Sequence, residues 1–297
     1  TGLEDAFNKS GIIQLVNGMS GHMPHVNLPE GTAASINPVE IPGFGVVSPM
    51  IKNSLITGNA AVAGGGIVNY VLNFNEEGGG EVSPKIINTT LAANSGLAIG
   101  GAMINGDEGF VNDESTLVNV CIVNSILWGN VAGQANDMFN EFNGSGNFAD
   151  TIKLHHNIIE SDYATLANNV NDPHSIDTTL AGNKYGIDPL FLSLPVLFGA
   201  TTEGDFHVPF SSPAVNMGDN SACSETIDLD QKSRVNQNII DLGPYEQLLN
   251  CDSITIYVGA DGSVPFIPID SFIPAIGPDC TLLINGIANS TGVQLAC

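Results

Sequence analysis

The sequence predicts an all-β chain in which short strands stack in parallel, one turn of chain upon the next. Three observations carry this. First, a segment recurs at a shift of 35 residues: SPMIKNSLITGNAAVAGGGIVN from Ser48 returns as SPKIINTTLAANSGLAIGGAMIN from Ser83. The shift places Asn53 on Asn88, Asn59 on Asn94, and Gly65-Gly66 on Gly100-Gly101. Second, each copy reads as a β-branched run, a polar break at asparagine, a Gly-Gly turn and another apolar run, without sustained helical periodicity. Third, charged residues are only 13% of the 297, against roughly 25% in ordinary globular chains, while glycine reaches 34 and asparagine 32. A strand of about four to six residues cannot bury its face alone. Stacked on its own copy it forms parallel sheets around a continuous aliphatic core.

The elements follow in order. Residues 1–47 are expected to form an N-terminal cap or first turns, with QLVNG and its Asn17 as a weak early copy, 36 residues before Asn53. Residues 48–187 hold the repeats. A third copy, LVNVCIVNSILWGNVAG from Leu117, puts Asn124 and Asn130 at the two asparagine positions, and a fourth, IKLHHNIIESD, puts Asn157 in register. Asparagine recurring at one position predicts a hydrogen-bonded ladder at a bend, since Asn tolerates left-handed backbone. Residues 188–250 are expected to close the stack, because a solenoid must not end on an unpaired apolar face. There Asp228, Asp230, Arg234, Asp241 and Glu246 surround the sole arginine and predict a structural network of turns and salt bridges. From Cys251 to Cys297 apolar and polar residues alternate around a turn at Ala260-Asp261-Gly262, as in a small β module.

The charge balance excludes whole classes of function. Thirty-one acidic against seven basic residues give a net charge of −24. No basic stripe exists to neutralise phosphates, so nucleic acid is not an expected partner. Anionic membrane surfaces repel such a chain, and no run of about 18 apolar residues is present to span a bilayer. The opening TGLEDAFNKS has neither a basic start nor an apolar signal core, so the chain is expected to be a mature or excised piece of something longer. Cys121 stands alone in an apolar segment, whereas Cys223, Cys251, Cys280 and Cys297 lie late. The expectation is one buried free thiol at Cys121 and one or two disulfides near the C-terminus.

The phrases NSLITGNAAVAGGGI and NSILWGN, with Asp188-Pro189-Leu190-Phe191, GDFHVPFSSPAVNMGDN at 204–220 and TIDLDQKSRVNQNIIDLGPYE at 226–246, carry a resemblance. Their order is similar to right-handed parallel β-helix proteins of the pectin-lyase-like, polymorphic outer-membrane type, secreted to bacterial surfaces. Gln231-Lys232-Ser233 departs from the Gly-Asn-Pro turn usual there. The segment from Cys251, with Ile254-Thr255-Ile256-Tyr257, Gly262, Asp279-Cys280 and Cys297, resembles the first half of HYR-like, immunoglobulin-like repeats of large surface proteins. It is short for a complete sandwich of about 100 residues. The resemblance implies a right-handed parallel β-helix, a C-terminal Ig-like β module, and an extracellular place on a bacterial cell surface.

On this fold a lyase needs a basic residue beside calcium-binding carboxylates, and a hydrolase needs an acidic pair. Lys52 and Lys85 stand offset from one another without neighbouring acidic clusters, and the repeats lack paired carboxylates in their strands. His22 and His25 lack an acidic partner for a metal site. His155 and His156 are expected on opposite faces of a strand, and His207 lies in the closing segment. The loops after the Gly-Gly turns, at 73–82, 105–115 and 133–150, carry Glu76, Glu77, Glu81, Asp107, Glu108, Asp113, Glu114, Asp137, Glu141 and Asp150. Of these, Glu76, Glu77, Asp107, Glu108, Asp113 and Glu114 are the candidate calcium ligands, hard oxygens in loops on one flank. The alternative is a solvated, solubilising face. The expected function is a non-catalytic extracellular surface protein, an adhesin or a structural segment of a surface filament or appendage. Its expected partners are other surface-protein domains, copies of itself or surface glycans. The alternative is a polysaccharide-binding or polysaccharide-degrading enzyme of the pectin-lyase-like group.

Overall fold

The computed structural model describes residues 12–16, 44–72, 79–108, 116–142, 150–168, 176–177, 181–195, 199–235, 238–247, 282–284 and 287–289. Within them the chain is essentially all-β, and apart from one antiparallel pair near the C-terminus its strands pair in parallel, an arrangement compatible with a β-helix. The first described repeat runs through β2 (Phe44–Val47), β3 (Met50–Lys52), β4 (Leu55–Thr57), β5 (Ala60–Ala63) and β6 (Ile67–Leu72), with β1 (Ile12–Val16) before it. The second contains β7 (Gly79–Val82), β8 (Lys85–Ile87), β9 (Thr90–Ala92), β10 (Ser95–Ile99) and β11 (Met103–Glu108). The third contains β12 (Thr116–Val123), β13 (Ile126–Trp128), β14 (Val131–Gln134) and β15 (Met138–Glu141). Then come β16 (Thr151–His155), β17 (Ile158–Ile159), the helix α1 (Tyr163–Asn168), β18 (Ile176–Asp177) and β19 (Lys184–Tyr185).

Each strand lies beside its counterpart in the next repeat. The sheets run β18-β16-β12-β7-β2, with β3 beside β8 and β8 beside β12; β19-β17-β13-β9-β4; β14-β10-β5; and β1-β6-β11-β15. Because the side-chain period of a strand is two, parallel stacking in register places like on like. Ile51, Ile86, Ile122 and Leu154 form one such row, and Ile56, Leu91, Leu127 and Ile159 another. These rows, with Ile67, Met103 and Met138, make one continuous aliphatic core. Helix α1 adds Leu166 to it. Its start is fixed by the Asp162 side chain, which accepts a hydrogen bond from Thr165 N at 2.7 Å. The helix lies outside the sequence expectation, being six residues long and too short to show a period.

The corners explain the repeat. At the first corner Asn53, Asn88 and Asn124 take φ of 48°, 49° and 52°, and His156 takes 52° at the same place in the fourth copy. The expectation that Asn157 occupies that position is therefore off by one residue. Val123 pairs with His155, so Asn157 stands beside Ser125, and its Oδ1 accepts from Ser125 N at 2.9 Å. At the second corner Gly58, Ala93 and Gly129 are left-handed, and at the third Gly64, Gly100 and Ala135, so Gly64-Gly65, rather than the expected Gly65-Gly66, stands beside Gly100-Gly101. The early copy at Asn17 is also corrected. Strand β1 pairs with β6, Ile12 facing Ile67, so QLVNG does not align with the Asn53 corner.

The closing segment does not simply cap an end. Residues 189–247 run back along the flank of the stack and cover the outer face of the β4-β9-β13-β17 sheet. Val208, Ala214 and Leu242 bury Ile126 and Ile158, while Phe206 buries Ala92 and Ala93. Thr201 N donates to Gly58 O at 2.8 Å, where a Cβ on residue 58 would overlap the Thr201 carbonyl, so only glycine fits. The motif pieces also lock to one another: Ser212 Oγ donates to Pro189 O at 2.6 Å, and Phe191 stands edge-on to Phe206 at 5.4 Å. The expected Ig-like module at 251–297 lies mostly outside the described residues. Within them it contributes only the antiparallel pair β20 (Leu282–Ile284) and β21 (Ile287–Asn289).

Candidate functional site

The polar side chains of the repeats face one another. Asn59 donates its N–H and its Nδ2 to Asn94 Oδ1 at 3.1 and 3.0 Å, and Asn94 does the same to Asn130 Oδ1 at the same distances. Asn94 Nδ2 and Asn130 Nδ2 also donate to Ile56 O and Leu91 O. The expected ladder is present, but not at the left-handed bend: the left-handed Asn53, Asn88 and Asn124 bond to Ile227, Cys223 and Asp219 instead of to one another. A second ladder, absent from the sequence reading, joins Asn69 to Asn105 at 2.8 Å and Asn105 to Asn140 at 2.7 Å. A third side-chain row passes from Thr89 N to Ser125 Oγ, Ser125 N to Asn157 Oδ1 and Asn157 N to Asn183 Oδ1. Buried amides satisfied in this way fix strand register rather than present themselves to a ligand.

The candidate calcium ligands fall mainly elsewhere. Glu76, Glu77, Asp113 and Glu114 lie outside the described residues, and Glu108 ends β11. Asp107 is buried and accepts a hydrogen bond from Thr116 Oγ1 at 2.6 Å. The strands on either side of the loops are in register, Leu72 beside Glu108 and Gly80 beside Thr116, so the loops leave from equivalent corners. Two further acids turn inward to backbone donors. Asp150 Oδ1 accepts from Val118 N at 2.7 Å and Asp137 Oδ2 from Ser161 N at 2.8 Å. Burial pushes Asp137 up to about 6 despite its hydrogen bonds from Ser161. Among the described residues no group of three or more His, Cys, Asp or Glu is arranged to hold a metal ion.

The densest charge lies in the flank segment. Arg234 is wholly buried; its Nη1 stands 3.3 Å from Glu246 Oε1, and its Nη2 donates to Gly243 O at 2.6 Å and Asp241 O at 3.3 Å. Asp228 accepts from Lys232 N and Glu246 N, and Asp241 from Asn216 N and Gln247 N. Burial and the Asp241 charge outweigh Arg234 and push Glu246 up to about 8. Burial also raises Asp241. The guanidinium thus pairs with one of three buried carboxyls, that of Glu246, while Asp228 and Asp241 are held by backbone N–H groups; the expected network is present with one member elsewhere. Asp230 faces outward to His207 Nε2 at 3.0 Å and Lys232 Nζ at 2.9 Å. On its other side His207 meets Asp205 Oδ1 with Nδ1 at 2.6 Å, and its ring stacks on Tyr245 with centroids 3.8 Å apart. The sequence placed His207 in this segment but not its distant partners, Asp230 from 23 residues away and Tyr245 from the far end; Asp205 is its near neighbour.

The remaining candidates bind the flank segment to the repeats. Lys52 donates to Ser224 Oγ at 2.6 Å and pairs with Glu225 at 3.1 Å, so the lysine weighed as a catalytic base is engaged. Asn124 exchanges hydrogen bonds with the backbone of Asp219, and Asn88 Nδ2 reaches Cys223 Sγ at 3.2 Å. His155 lies 3.6 Å from Asp219, and His156 Nδ1 is 2.6 Å from Met217 O. The two rings meet edge-on at 4.5 Å, because the left-handed backbone of His156 ends the strand alternation that would have separated them. His22 and His25 lie outside the described residues. Cys121 is a free thiol, half-buried on the outer face of β12 rather than in the core, with Lys85 and Lys153 beside it in register. Cys223 is a free thiol as well, which removes it from the expected disulfides; Cys251, Cys280 and Cys297 lie outside the described residues.

No protein-family model matches the chain, and neither a curated protein nor a solved structure does.

Proposed function

We propose that this chain is the right-handed parallel β-helix of a non-catalytic, extracellular bacterial surface protein, an adhesin or a structural segment of a surface filament or appendage. A partial Ig-like module follows it, and its partners are copies of itself, neighbouring surface domains or surface glycans. The observation that carries this reading is where the polar side chains go. The asparagines of the strands bond to one another along the stack, and the titratable residues of the flank bond to the flank and to the repeats. Chemistry of that kind holds a rod together. Calcium in the acidic loops fits the same reading as an extracellular brace.

One experiment separates this from a polysaccharide enzyme. The chain is examined by electron microscopy and sedimentation, with calcium and with chelator, and incubated with a panel of acidic polysaccharides. Rods or end-to-end assemblies without released sugar are expected. Unsaturated products or new reducing ends, lost on substituting Lys52→Ala or Lys85→Ala, overturn the proposal. A melting temperature indifferent to calcium and chelator removes the calcium brace alone.

A further inference from the structure

The His207 cluster does something the rest of the flank segment does not. Both ring nitrogens face carboxylates, Nδ1 toward Asp205 Oδ1 at 2.6 Å and Nε2 toward Asp230 Oδ2 at 3.0 Å. An ionised carboxylate only accepts, and a neutral imidazole carries a single N–H. The geometry therefore requires the doubly protonated ring. The two carboxylates belong to different arms of the segment. Asp205 bridges Ser193, in the arm that reaches Gly58 through Thr201. Asp230 belongs to the turn between Ile227 and Ser233, in the arm that runs along the asparagine corners.

We propose that His207 is a protonation-dependent clasp that holds the two arms together when its ring is charged and lets them part when it is neutral. The opening has a side. Asp205 Oδ1 is also fixed by the backbone N–H of His207 at 3.1 Å, so the proton that remains on the neutral ring stays on Nδ1. The bond that breaks is Nε2 to Asp230, which keeps Lys232 as its partner. The charged and titratable groups facing the ring are Asp205 from its own arm, Asp230 and Lys232 from the turn, and Tyr245 from the end of the segment, with Asp228 behind. The electrostatics agree. Burial pulls His207 down, but its hydrogen bonds to Asp205 and Asp230 and their charges outweigh this and hold it above the ordinary histidine value. A raised folded value means that the clasp stabilises fully below the unfolded value near 6.5 and is lost as pH rises through the folded one. On the acid side, the carboxylates of Asp205 and Asp230 lie below the usual range, held by hydrogen bonds from His207 and Lys232 respectively.

The test uses the whole chain. Imidazole nitrogen signals report the protonation of His207, while hydrogen exchange, corrected for its intrinsic pH dependence, is followed in peptides covering 199–207 and 226–235. The wild-type chain is expected to show both nitrogens protonated below the ordinary histidine value and a severalfold rise in corrected exchange as the ring titrates. His207→Gln is expected to exchange fast at every pH, and Asp230→Asn to move the step to lower pH. A wild-type chain without a pH step, or a step unmoved by Asp230→Asn, overturns the clasp. The wild-type and Asp230→Asn measurements decide the matter even where His207→Gln fails to fold.

Discussion

Asparagine side chains join neighbouring repeats in rows. Asn94 is fully buried, accepts two hydrogen bonds from Asn59 and donates to Ile56 O and Asn130 Oδ1. Asn94→Ala removes both bonds from Asn59 to Asn94 Oδ1, leaving its Nδ2 only Thr57 O, and takes a donor from the Ile56 carbonyl, and a buried group so orphaned costs about 1–3 kcal/mol. We expect a loss of about 2–4 kcal/mol, read as a lowered denaturation midpoint at unchanged slope. Asn59, Asn94 and Asn130 were legible in the sequence because the period repeats them. The Asn69-Asn105-Asn140 ladder went unread although both copies end on its first two members, because one extra residue in the second copy sets Asn105 36 residues after Asn69 rather than 35. Asn157 was misread for a related reason. The fourth copy is one residue out of step, and its histidine takes the bend that asparagine takes elsewhere.

Strands this short owe their places to the corners between them. The third corner requires φ of 65° at Gly64, 63° at Gly100 and 59° at Ala135. A Cβ on Gly100 would meet Ile104 Cγ1 at 2.5 Å and Met103 O at 2.6 Å, so Gly100→Ala is both strained and crowded. It is expected to cost about 2 kcal/mol or more, while Ala135→Gly relieves a left-handed alanine and raises stability by about 0.5–1 kcal/mol. Thermal melts of the two variants should therefore move in opposite directions. The Gly-Gly turns were legible because glycine is the residue that left-handed backbone favours. The course of residues 189–247 was not. Its strands are missing, and it holds the flank through side chains and isolated backbone bonds that leave no period to read.

The whole molecule has a net charge of −24, and among the described residues the buried acidic and basic side chains are those of Arg234, Asp107, Asp137, Asp228, Asp241 and Glu246. Glu246 is raised to about 8 from an ordinary value near 4.5. Its neutral form is the one that fits, so its contribution is complete below about 4.5 and is lost as pH rises through about 8. Glu246→Gln keeps the shape without the charge. It should flatten the fall in stability across that window, with a gain on the order of 3 kcal/mol at its alkaline end. Denaturation midpoints measured across the window check this, and equal slopes in both chains would contradict it. Composition announced the acidity but not which carboxyls are buried, since Asp107 and Asp137 are buried within the repeats and Asp228, Asp241 and Glu246 within the flank segment. The return of the flank segment sets the order of events during synthesis. Ile227 O receives a bond from Asn53, 174 residues earlier, and Phe206 covers Ala92. A chain made at about 5–20 residues per second exposes the outer face of its first repeats for on the order of ten seconds before its cover emerges. An array of repeats ordinarily folds and frays one neighbour at a time. Here a segment made well after the first repeats fastens them, so the repeats reach their final stability together.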